Sequence, residues 1–278
     1  MINLDKDVER LQRITQQLGP TGLAWTRISA VYGRDLPEAD RQRLLDSAAY
    51  RRKHGMEPAL GELGCYLSHV AVMRALLASP HRFALVLEDD VLLTPALRPV
   101  LQGLLRHAGR WDMVKLSQVH SGSPQPYLEL ATGHRLAVML SRCTGSSAYI
   151  VNRKAAQAYV DGLLPMSLPY DHVFDQGWTF GLQVRMVTPT PCIHDEEIVE
   201  YCLDKPYRYL GLISSRKKWA HFCESYRARG FSDEQLARVS TPVGLDIGAE
   251  NPLEIAVAIA AELIQLKAKP EDFAARVG

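Results

Sequence analysis

Residues 84–93 read Ala-Leu-Val-Leu-Glu-Asp-Asp-Val-Leu-Leu, and the rest of the chain is interpreted around this stretch. Four apolar residues precede three consecutive carboxylates, and a short apolar run bounded by polar residues predicts a buried central strand. Neighbouring acids repel one another, and a divalent cation such as Mg²⁺ or Mn²⁺ relieves that repulsion because it prefers oxygen ligands. Alternatively, the acids begin a solvated loop in which Thr94 and Pro95 cap and open the next helix. Spacing alone leaves both interpretations open.

The composition is that of an ordinary soluble protein. The 278 residues are 47% hydrophobic and 23% charged, with a net charge of +1. No dense stripe of Lys and Arg interleaved with aromatic residues is present, which argues against nucleic-acid binding. Five scattered cysteines without a CxxC pair indicate reduced thiols rather than disulfides or a structural zinc site. Because we find neither an apolar run of membrane-spanning length nor a signal-peptide pattern, we expect a cytoplasmic protein, at most peripheral at the inner face of the membrane.

Residues 61–79 predict a helix just before the acidic stretch. Its residues Glu62, Cys65, His69, Val72 and Leu76 recur at steps of three and four, so they share one face. This face is polar near its start and apolar further on, which predicts that the first turns line a site and the last turns enter the core. For His69 alone, a purely structural role stays open, whereas the nearby Glu62 and Ser68 favour a role in a site.

Strands alternate with helices along the chain, which predicts an α/β sheet with helices on both faces. Residues 117–126 are predicted to form a polar loop. Two prolines within residues 188–191 predict a domain boundary there. We therefore predict one domain over residues 1–191 and a second segment over residues 192–278.

Several motifs before that boundary carry a resemblance to a known family. They are Ile2-Asn3-Leu4-Asp5 with Arg10, Ala30-Val31-x-Gly33-Arg34-x-Leu36, Gly61-Glu62-x-Gly64-Cys65-x-x-Ser68-His69, Leu87-Glu88-Asp89-Asp90, Trp111-Asp112, Gly145 with Ala148-Tyr149, and Pro169-x-Asp171-His172. Together they resemble glycosyltransferase family 25, the lipooligosaccharide galactosyltransferases related to collagen galactosyltransferases. The resemblance implies a GT-A-like nucleotide-sugar transferase domain with a mixed, mainly parallel sheet. It also implies UDP-galactose as donor, Mn²⁺ or Mg²⁺ as cofactor, inversion at the anomeric carbon, and a lipooligosaccharide or other glycan as acceptor.

The segment after the boundary resembles the C-terminal part of the xanthine dehydrogenase accessory factor family. The resemblance is carried by His194-Asp195, Tyr209-Leu210-Gly211-Leu212-Ile213-x-Ser215-Arg216-x-Lys218 and Pro242-x-Gly244-Leu245-Asp246-Ile247-Gly248-Ala249-x-x-Pro252-x-Glu254-Ile255-Ala256. The preceding Gly-rich turn, which would bring backbone N–H groups to a pyrophosphate, has no counterpart. We therefore predict an incomplete Rossmann-like α/β segment that does not bind NAD. Such a join is either a natural fusion or a chimera.

The resemblance, applied residue by residue, gives a candidate site. Asp90 is the predicted principal metal ligand, Glu88 a ligand of metal or ribose, and His194 a further metal ligand. The residues predicted to contact the nucleotide sugar are Asn3, Leu4, Arg10, Ser68, His69, Glu88, Asp89 and Gly145. Inversion requires a base that takes the proton from the acceptor hydroxyl. Asp171 is the first candidate for this base, followed by Asp175 and Glu62.

Three functions from different classes are consistent with these motifs. The first is a metal-dependent hexosyltransferase. The second is a maturation protein for a molybdoenzyme such as xanthine dehydrogenase, acting through residues 192–278. The third is a catalytically inactive chimera. The first is favoured because the acidic stretch follows the helix that carries Glu62 and His69 and precedes Asp171 and His172.

Overall fold

The computed structural model describes residues 1–118, 123–193, 199, 202–203, 205–214, 216–228, 230–249 and 251–268. The chain divides into two compact units, residues 1–194 and 195–278, and each is considered by itself. This division falls three residues after the predicted boundary between residues 191 and 192.

Among the described residues, ten strands belong to the first unit. They are β1 (Ile2–Asn3), β2 (Ile28–Ser29), β3 (Phe83–Leu87), β4 (Leu92–Leu93), β5 (Met113–Lys115), β6 (Pro124–Ala131), β7 (His134–Met139), β8 (Ala148–Asn152), β9 (Val184–Thr188) and β10 (Cys192–Ile193). Six of them form one sheet in the order β3-β8-β5-β9-β7-β6. A bridge between Ile2 and Glu88 joins β1 to the end of β3, β1 pairs with β2, and β4 pairs with β10.

The strand directions confirm a mixed sheet in which most strands point the same way. Strands β1, β2, β3, β5, β6 and β9 run in one direction, and β7 and β8 run in the other. The prediction of a mainly parallel sheet is confirmed in that most strands run in one direction, but most neighbouring strands are antiparallel to each other. The reversed strand β8 lies between β3 and β5, and the reversed strand β7 lies between β9 and β6. In the described part of the six-stranded sheet, the one parallel pair of neighbours is therefore β5 with β9.

Helices cover both faces of this sheet, as predicted. They are α1 (Val8–Leu18), α2 (Glu38–Leu44), α3 (Ser47–His54), α4 (Leu60–Ala78), α5 (Leu97–Arg106), α6 (Arg153–Gly162) and α7 (Tyr170–Asp175). Side chains alternate between the faces of a strand, so neighbouring residues of β3 enter different cores. Val86 packs in a cluster with apolar residues of α4, α6 and α7, whereas Leu87 packs in a cluster with residues of α1 and α5.

The predicted polar loop at residues 117–126 is wrong in its second part, because β6 begins at Pro124. This strand is the last in the sheet order of the described residues, and an edge position tolerates both Pro124 and Pro126. Most of its residues are exposed or half-buried, so the strand lacks the apolar alternation by which it would be recognised in the sequence.

The second unit contains the parallel strands β11 (Leu210–Gly211) and β12 (Val239–Ser240). Helices α8 (Arg216–Ala228) and α9 (Asp233–Ala237) lie between them in the chain, and α10 (Pro252–Ala268) follows. A helical connection between parallel strands is the repeating unit of Rossmann-like folds, so the predicted α/β character of this segment is confirmed. Among the helices of the described residues, none is both long and apolar enough to cross a bilayer.

Candidate functional site

A cleft of about 200 Å³ opens where the codirectional strands β1, β2 and β3 end. Residues 2–4 (β1 and the residue after it), residues 30–33 (after β2) and residues 88–90 (after β3) line it. The first three turns of α4 contribute Gly61, Cys65, Ser68 and His69. Ligands of open α/β sheets bind outside the carboxyl ends of the strands, so this is where chemistry is expected.

Two of the three acids share one arginine. The Arg10 guanidinium lies 3.4 Å from Asp89 Oδ1 and 3.7 Å from Asp90 Oδ2. The buried Asn3 amide donates to Asp89 Oδ2 at 2.7 Å, and Arg27 Nε donates to Asn3 Oδ1 at 3.0 Å. The Arg10 and Asp90 side chains are 47% and 48% exposed, whereas that of Asp89 is 10% exposed. Asp89 is therefore held by the protein, while Arg10 and Asp90 are accessible to a ligand.

The third acid, Glu88, is bound to His69. His69 Nε2 lies 2.9 Å from Glu88 Oε1, and His69 Nδ1 lies 2.9 Å from the Tyr149 hydroxyl. The imidazole also stacks on Tyr170 at a ring distance of 4.2 Å. Burial raises the pKa of both phenols well above the usual value, so they stay protonated. His69 is thus fixed on both ring nitrogens and on one ring face.

The potential in the cleft is negative beside Cys65. This residue is exposed by surface area, yet the walls of the cleft remove much of the water from its thiol. Desolvation raises the pKa of the Cys65 thiol, and the carboxylates of Glu88, Asp171, Asp90 and Glu62 raise it further. The same negative potential favours cations in the cleft.

Two glycines bring α4 against the loop after β2. A Cβ on Gly33 would lie 1.7 Å from Leu60 O, and a Cβ on Gly64 would lie 2.5 Å from Val31 O. The Val31 N–H donates to Ser68 Oγ at 2.8 Å, and the Ser68 hydroxyl donates to Gly64 O at 2.7 Å. These contacts fix the loop that forms one wall of the cleft.

We expect Gly64→Ala to destabilise the protein by about 1–3 kcal/mol, because the new methyl group meets backbone atoms that cannot rotate away. The matched control is Gly61→Ala, since a Cβ at this neighbouring position of α4 meets nothing within 4 Å. Its stability should be unchanged or higher by up to about 1 kcal/mol, because alanine favours the helix. Denaturant unfolding measures both changes, and equal effects at the two positions would contradict the close approach.

Two family models match overlapping parts of the chain, and the second match begins within the first unit rather than at the predicted boundary. Residues 1–174 match the family model described as glycosyltransferase family 25 (LPS biosynthesis protein), which is more than half of the 278 residues. The chain belongs to glycosyltransferase family 25. A second model, the XdhC Rossmann domain, matches residues 131–263.

Three relatives of this family 25 chain are each similar to part of it. Procollagen galactosyltransferase 1 of Danio rerio is 25% identical over 56% of the chain and 27% of its own length. The uncharacterized protein YqeB of Escherichia coli K12 is 31% identical over 54% of the chain and 28% of its own length. A Bacillus subtilis protein, named as a probable subunit of xanthine dehydrogenase, is 32% identical over 27% of the chain and 20% of its own length. The matched stretches thus span less than a third of each of these relatives.

The structure brings most of the predicted donor-site residues of the family 25 chain to one place. Asn3, Leu4, Arg10, Ser68, His69, Glu88, Asp89 and Asp90 all line the cleft. Gly145 lies outside this lining. It has a φ of +119°, which favours glycine, and it leads into Ser146 and Ser147, whose hydroxyls lie 3.4 Å from the Glu88 carboxylate. The predicted metal ligand His194 lies outside the described residues.

Two of the three candidate bases are held by the protein. Glu62 accepts hydrogen bonds from the Ala59 N–H at 2.8 Å and from the Tyr50 hydroxyl at 3.0 Å, so it caps α4. Asp175 accepts from Lys115 Nζ at 2.8 Å and from the Cys143 N–H at 2.9 Å, so it is fixed inside the first unit.

Asp171 differs from both, because the hydrogen bond that it accepts is local. It lies in the first turn of α7 and accepts from the N–H of the next residue, His172, at 3.0 Å. Its charge raises the pKa of the Cys65 thiol and of the Tyr50 hydroxyl, but Asp171 is not among the residues that line the cleft.

Sequence reasoning did not identify the tyrosines that hold His69 or the lysine that holds Asp175. Tyr149 belongs to a family motif, but nothing in its spacing indicates a contact with a histidine 80 positions away. Lys115 is fully buried at the end of β5, and a lysine within an otherwise apolar strand is the signal from which a buried partner is inferred.

Proposed function

We propose that the chain is a metal-dependent, inverting glycosyltransferase that moves a hexose from a UDP-sugar to a glycan. The observation that carries the proposal is the gathering of Glu88, Asp89 and Asp90 with Asn3 and Arg10 in one cleft of a family 25 chain. Galactose as the hexose is supported by the name of the Danio rerio relative. A lipooligosaccharide acceptor is supported by the family description, LPS biosynthesis protein.

The oxygen-rich end of the cleft fits Mn²⁺ or Mg²⁺. Carboxylate oxygens are the ligands that these hard cations prefer, and the Asp90 side chain is 48% exposed. We propose that Asp90 and Glu88 hold the ion. When bound, it supplies positive charge beside the diphosphate that leaves with UDP.

Arg10 is our proposed ligand for the diphosphate. A guanidinium donates two parallel hydrogen bonds to phosphate oxygens, and this one is half exposed beside Asp89 and Asp90. When the donor binds, Arg10 turns from the carboxylates to the phosphates. Asn3 continues to hold Asp89 through its 2.7 Å hydrogen bond, so the acidic turn keeps its shape. Leu4 lies beside Asn3 and contacts the nucleoside.

Asp171 remains our proposed base, which takes the proton from the attacking hydroxyl of the acceptor. Two observations support it over the other candidates. Glu62 accepts two hydrogen bonds at the helix start, and Asp175 is paired with a buried lysine. The charge of Asp171 also acts on Cys65, a residue of the cleft wall, so the acceptor would enter from that side.

Binding of UDP with Mn²⁺ tests the donor site before an acceptor is known. A ligand that binds only the folded state raises the melting temperature, and at 100 times its Kd it adds about 2.7 kcal/mol of stability. We expect UDP and Mn²⁺ together to raise the melting temperature by more than the sum of their separate effects. Release of UDP from UDP-galactose should then require the metal and stop with EDTA. Equal shifts with and without Mn²⁺ would contradict the proposed metal-dependent site.

A second candidate function is supported by the other family model. The XdhC Rossmann model matches residues 131–263, and the name of the Bacillus subtilis relative refers to xanthine dehydrogenase. An accessory role in the maturation of a molybdoenzyme is therefore an alternative to transferase activity. Co-purification of the full chain with xanthine dehydrogenase would support this alternative, and a failure to bind the enzyme in either its loaded or its empty form would remove it.

A further inference from the structure

A group of side chains with mixed ligand chemistry lies where α4 and the end of β3 meet in the cleft. One ligand atom each from Cys65, His69 and Glu88 lies within 4.8 Å of the others. We propose that these three residues bind a thiophilic divalent cation of the Zn²⁺ class, which competes with the Mn²⁺ or Mg²⁺ of the proposed transferase reaction. The site itself rests on geometry, and only the competition rests on the proposed function.

The three residues are placed as zinc ligands are. Cys65 and His69 are four residues apart on α4, and side chains with this spacing lie one above the other on the same helix face. Glu88 follows β3 and already approaches His69 to 2.9 Å. Tetrahedral Zn²⁺ has bonds of about 2.0–2.3 Å, so its ligands lie about 3.6 Å apart. To reach that spacing, the Glu88 oxygen must move away from its 2.9 Å contact with His69 and the Cys65 thiol must move closer to both.

His69 is also oriented as a metal-bound histidine is. The nitrogen that does not bind the metal usually has a hydrogen-bonding partner, which fixes the ring. Here the Tyr149 hydroxyl lies 2.9 Å from Nδ1, and the Tyr170 ring stacks on the imidazole. Nε2 therefore points at Glu88 without needing to reorient. A metal ion at this position replaces the hydrogen bond between Nε2 and the carboxylate, and the Cys65 thiol releases its proton to solvent when it binds the ion.

The chemistry of the set differs from that of the acidic turn. A thiol and an imidazole together favour Zn²⁺ or Co²⁺, whereas carboxylates alone favour Mg²⁺ or Mn²⁺. The lack of a CxxC pair argues only against a closed structural zinc site. Three protein ligands with one position open to a cleft are instead the pattern of an accessible zinc site.

Glu88 belongs to both sets of ligands, and this makes the two cations exclusive. The proposed transferase metal uses Glu88 and Asp90, whereas the zinc-class ion uses Glu88 with Cys65 and His69. When the zinc-class ion binds, Glu88 is no longer available to the transferase metal. The ion also lies inside the donor cleft, because Cys65, His69, Glu88 and Asp90 all line it. Zn²⁺ should therefore inhibit sugar transfer even when Mn²⁺ is present.

Cobalt binding to the full chain, treated first with EDTA, tests the site without any assay of activity. Co²⁺ bound to a thiolate gives a charge-transfer absorption band in the near ultraviolet, and Zn²⁺ should remove it by displacement. We expect one equivalent of Co²⁺ to give this band and Cys65→Ser to abolish it. The matched control is Cys202→Ser, which changes the half-buried cysteine of the second unit and should keep the band. Tyr149→Phe should weaken Zn²⁺ binding by about 10–100-fold, because it removes the group that orients His69.

The outcomes separate the two proposals. Absence of the band in the wild-type protein, or an unchanged band in Cys65→Ser, overturns the zinc-class site. Cys65 is exposed, so its conservative replacement should leave the melting temperature unchanged and the result readable. With UDP-galactose and Mn²⁺, Zn²⁺ should inhibit the wild-type enzyme at least 10-fold more strongly than Cys65→Ser. If no UDP release occurs at all, the proposed function fails while the cobalt measurement still decides the metal site.

Discussion

Asp90→Ala is expected to lower kcat/KM for the UDP-sugar by at least about 100-fold, the effect of removing one group that stabilises charge in a transition state. Asp90 is the most exposed of the three clustered acids and our proposed principal metal ligand. Because its side chain is 48% exposed, the substitution should change the free energy of unfolding by less than about 0.5 kcal/mol. The measurement is steady-state UDP release over a range of Mn²⁺ concentrations.

Asp90→Asn and Asp161→Ala complete this experiment. Asp90→Asn keeps the size of the side chain and removes its charge, so it should lose nearly as much activity and require more Mn²⁺. Asp161→Ala removes an exposed carboxylate from α6, outside the lining of the cleft, and should retain full activity. Full activity of Asp90→Ala would rule out the assignment of the acidic turn as the metal site.

Lys115→Met is expected to destabilise the protein by about 3–5 kcal/mol, because it leaves a buried carboxylate without its cation. The Lys115 and Asp175 side chains are 1% and 9% exposed, and their charged atoms lie 2.8 Å apart. Lys115 also donates to the Cys143 carbonyl, and Asp175 accepts from the Cys143 N–H. The pair therefore joins β5, α7 and the segment before β8. Denaturant unfolding measures the loss.

The double variant Lys115→Met with Asp175→Asn tests whether the pair acts as a unit. It leaves no buried charge, and the amide oxygen still accepts from the Cys143 N–H, so at least half of the lost stability should return. Additive losses would show that the two residues act independently.

Asp175 is also one of the predicted bases, and turnover of Asp175→Asn separates the two roles. General-base catalysis contributes at least about 100-fold to a rate, so loss of the base would lower kcat by that much in the folded enzyme. We expect the folded fraction of Asp175→Asn to keep its kcat within about 10-fold, because the carboxylate is already paired with Lys115. Steady-state UDP release, corrected for the folded fraction, makes this measurement.

The sequence was sufficient for the features that depend on local patterns. The apolar run before Glu88 predicts β3, and β3 ends at Leu87, directly before the acids. The spacing of four residues between Cys65 and His69 predicts a shared face of α4, and both residues line the cleft. Periodicity and the charge pattern fix such features because they act between residues close in the chain.

Contacts between strands that are distant in the chain could not be predicted from the sequence. Tyr149 stands opposite both Val86 of β3 and Lys115 of β5, and this register sets which side chains meet behind the cleft. A shift of one residue would point each of them to the other face of the sheet. Without this register, the sequence does not predict the contact of Tyr149 with His69 or that of Lys115 with Asp175. For the same reason, the sequence alone does not show that Asp175 is paired with a buried lysine while Asp171 is not.

The pairing of β10 with β4 affects where the chain is best divided for expression of separate parts. Cys192 and Ile193 pair with Leu93 and Leu92, and the Cys192 N–H donates to Leu116 O at 3.1 Å. A fragment that ends at residue 191 lacks this strand, so the backbone of β4 becomes an open edge close to the acidic turn. A fragment that retains Cys192 and Ile193 keeps this edge of β4 paired, so we expect it to aggregate less than the shorter fragment.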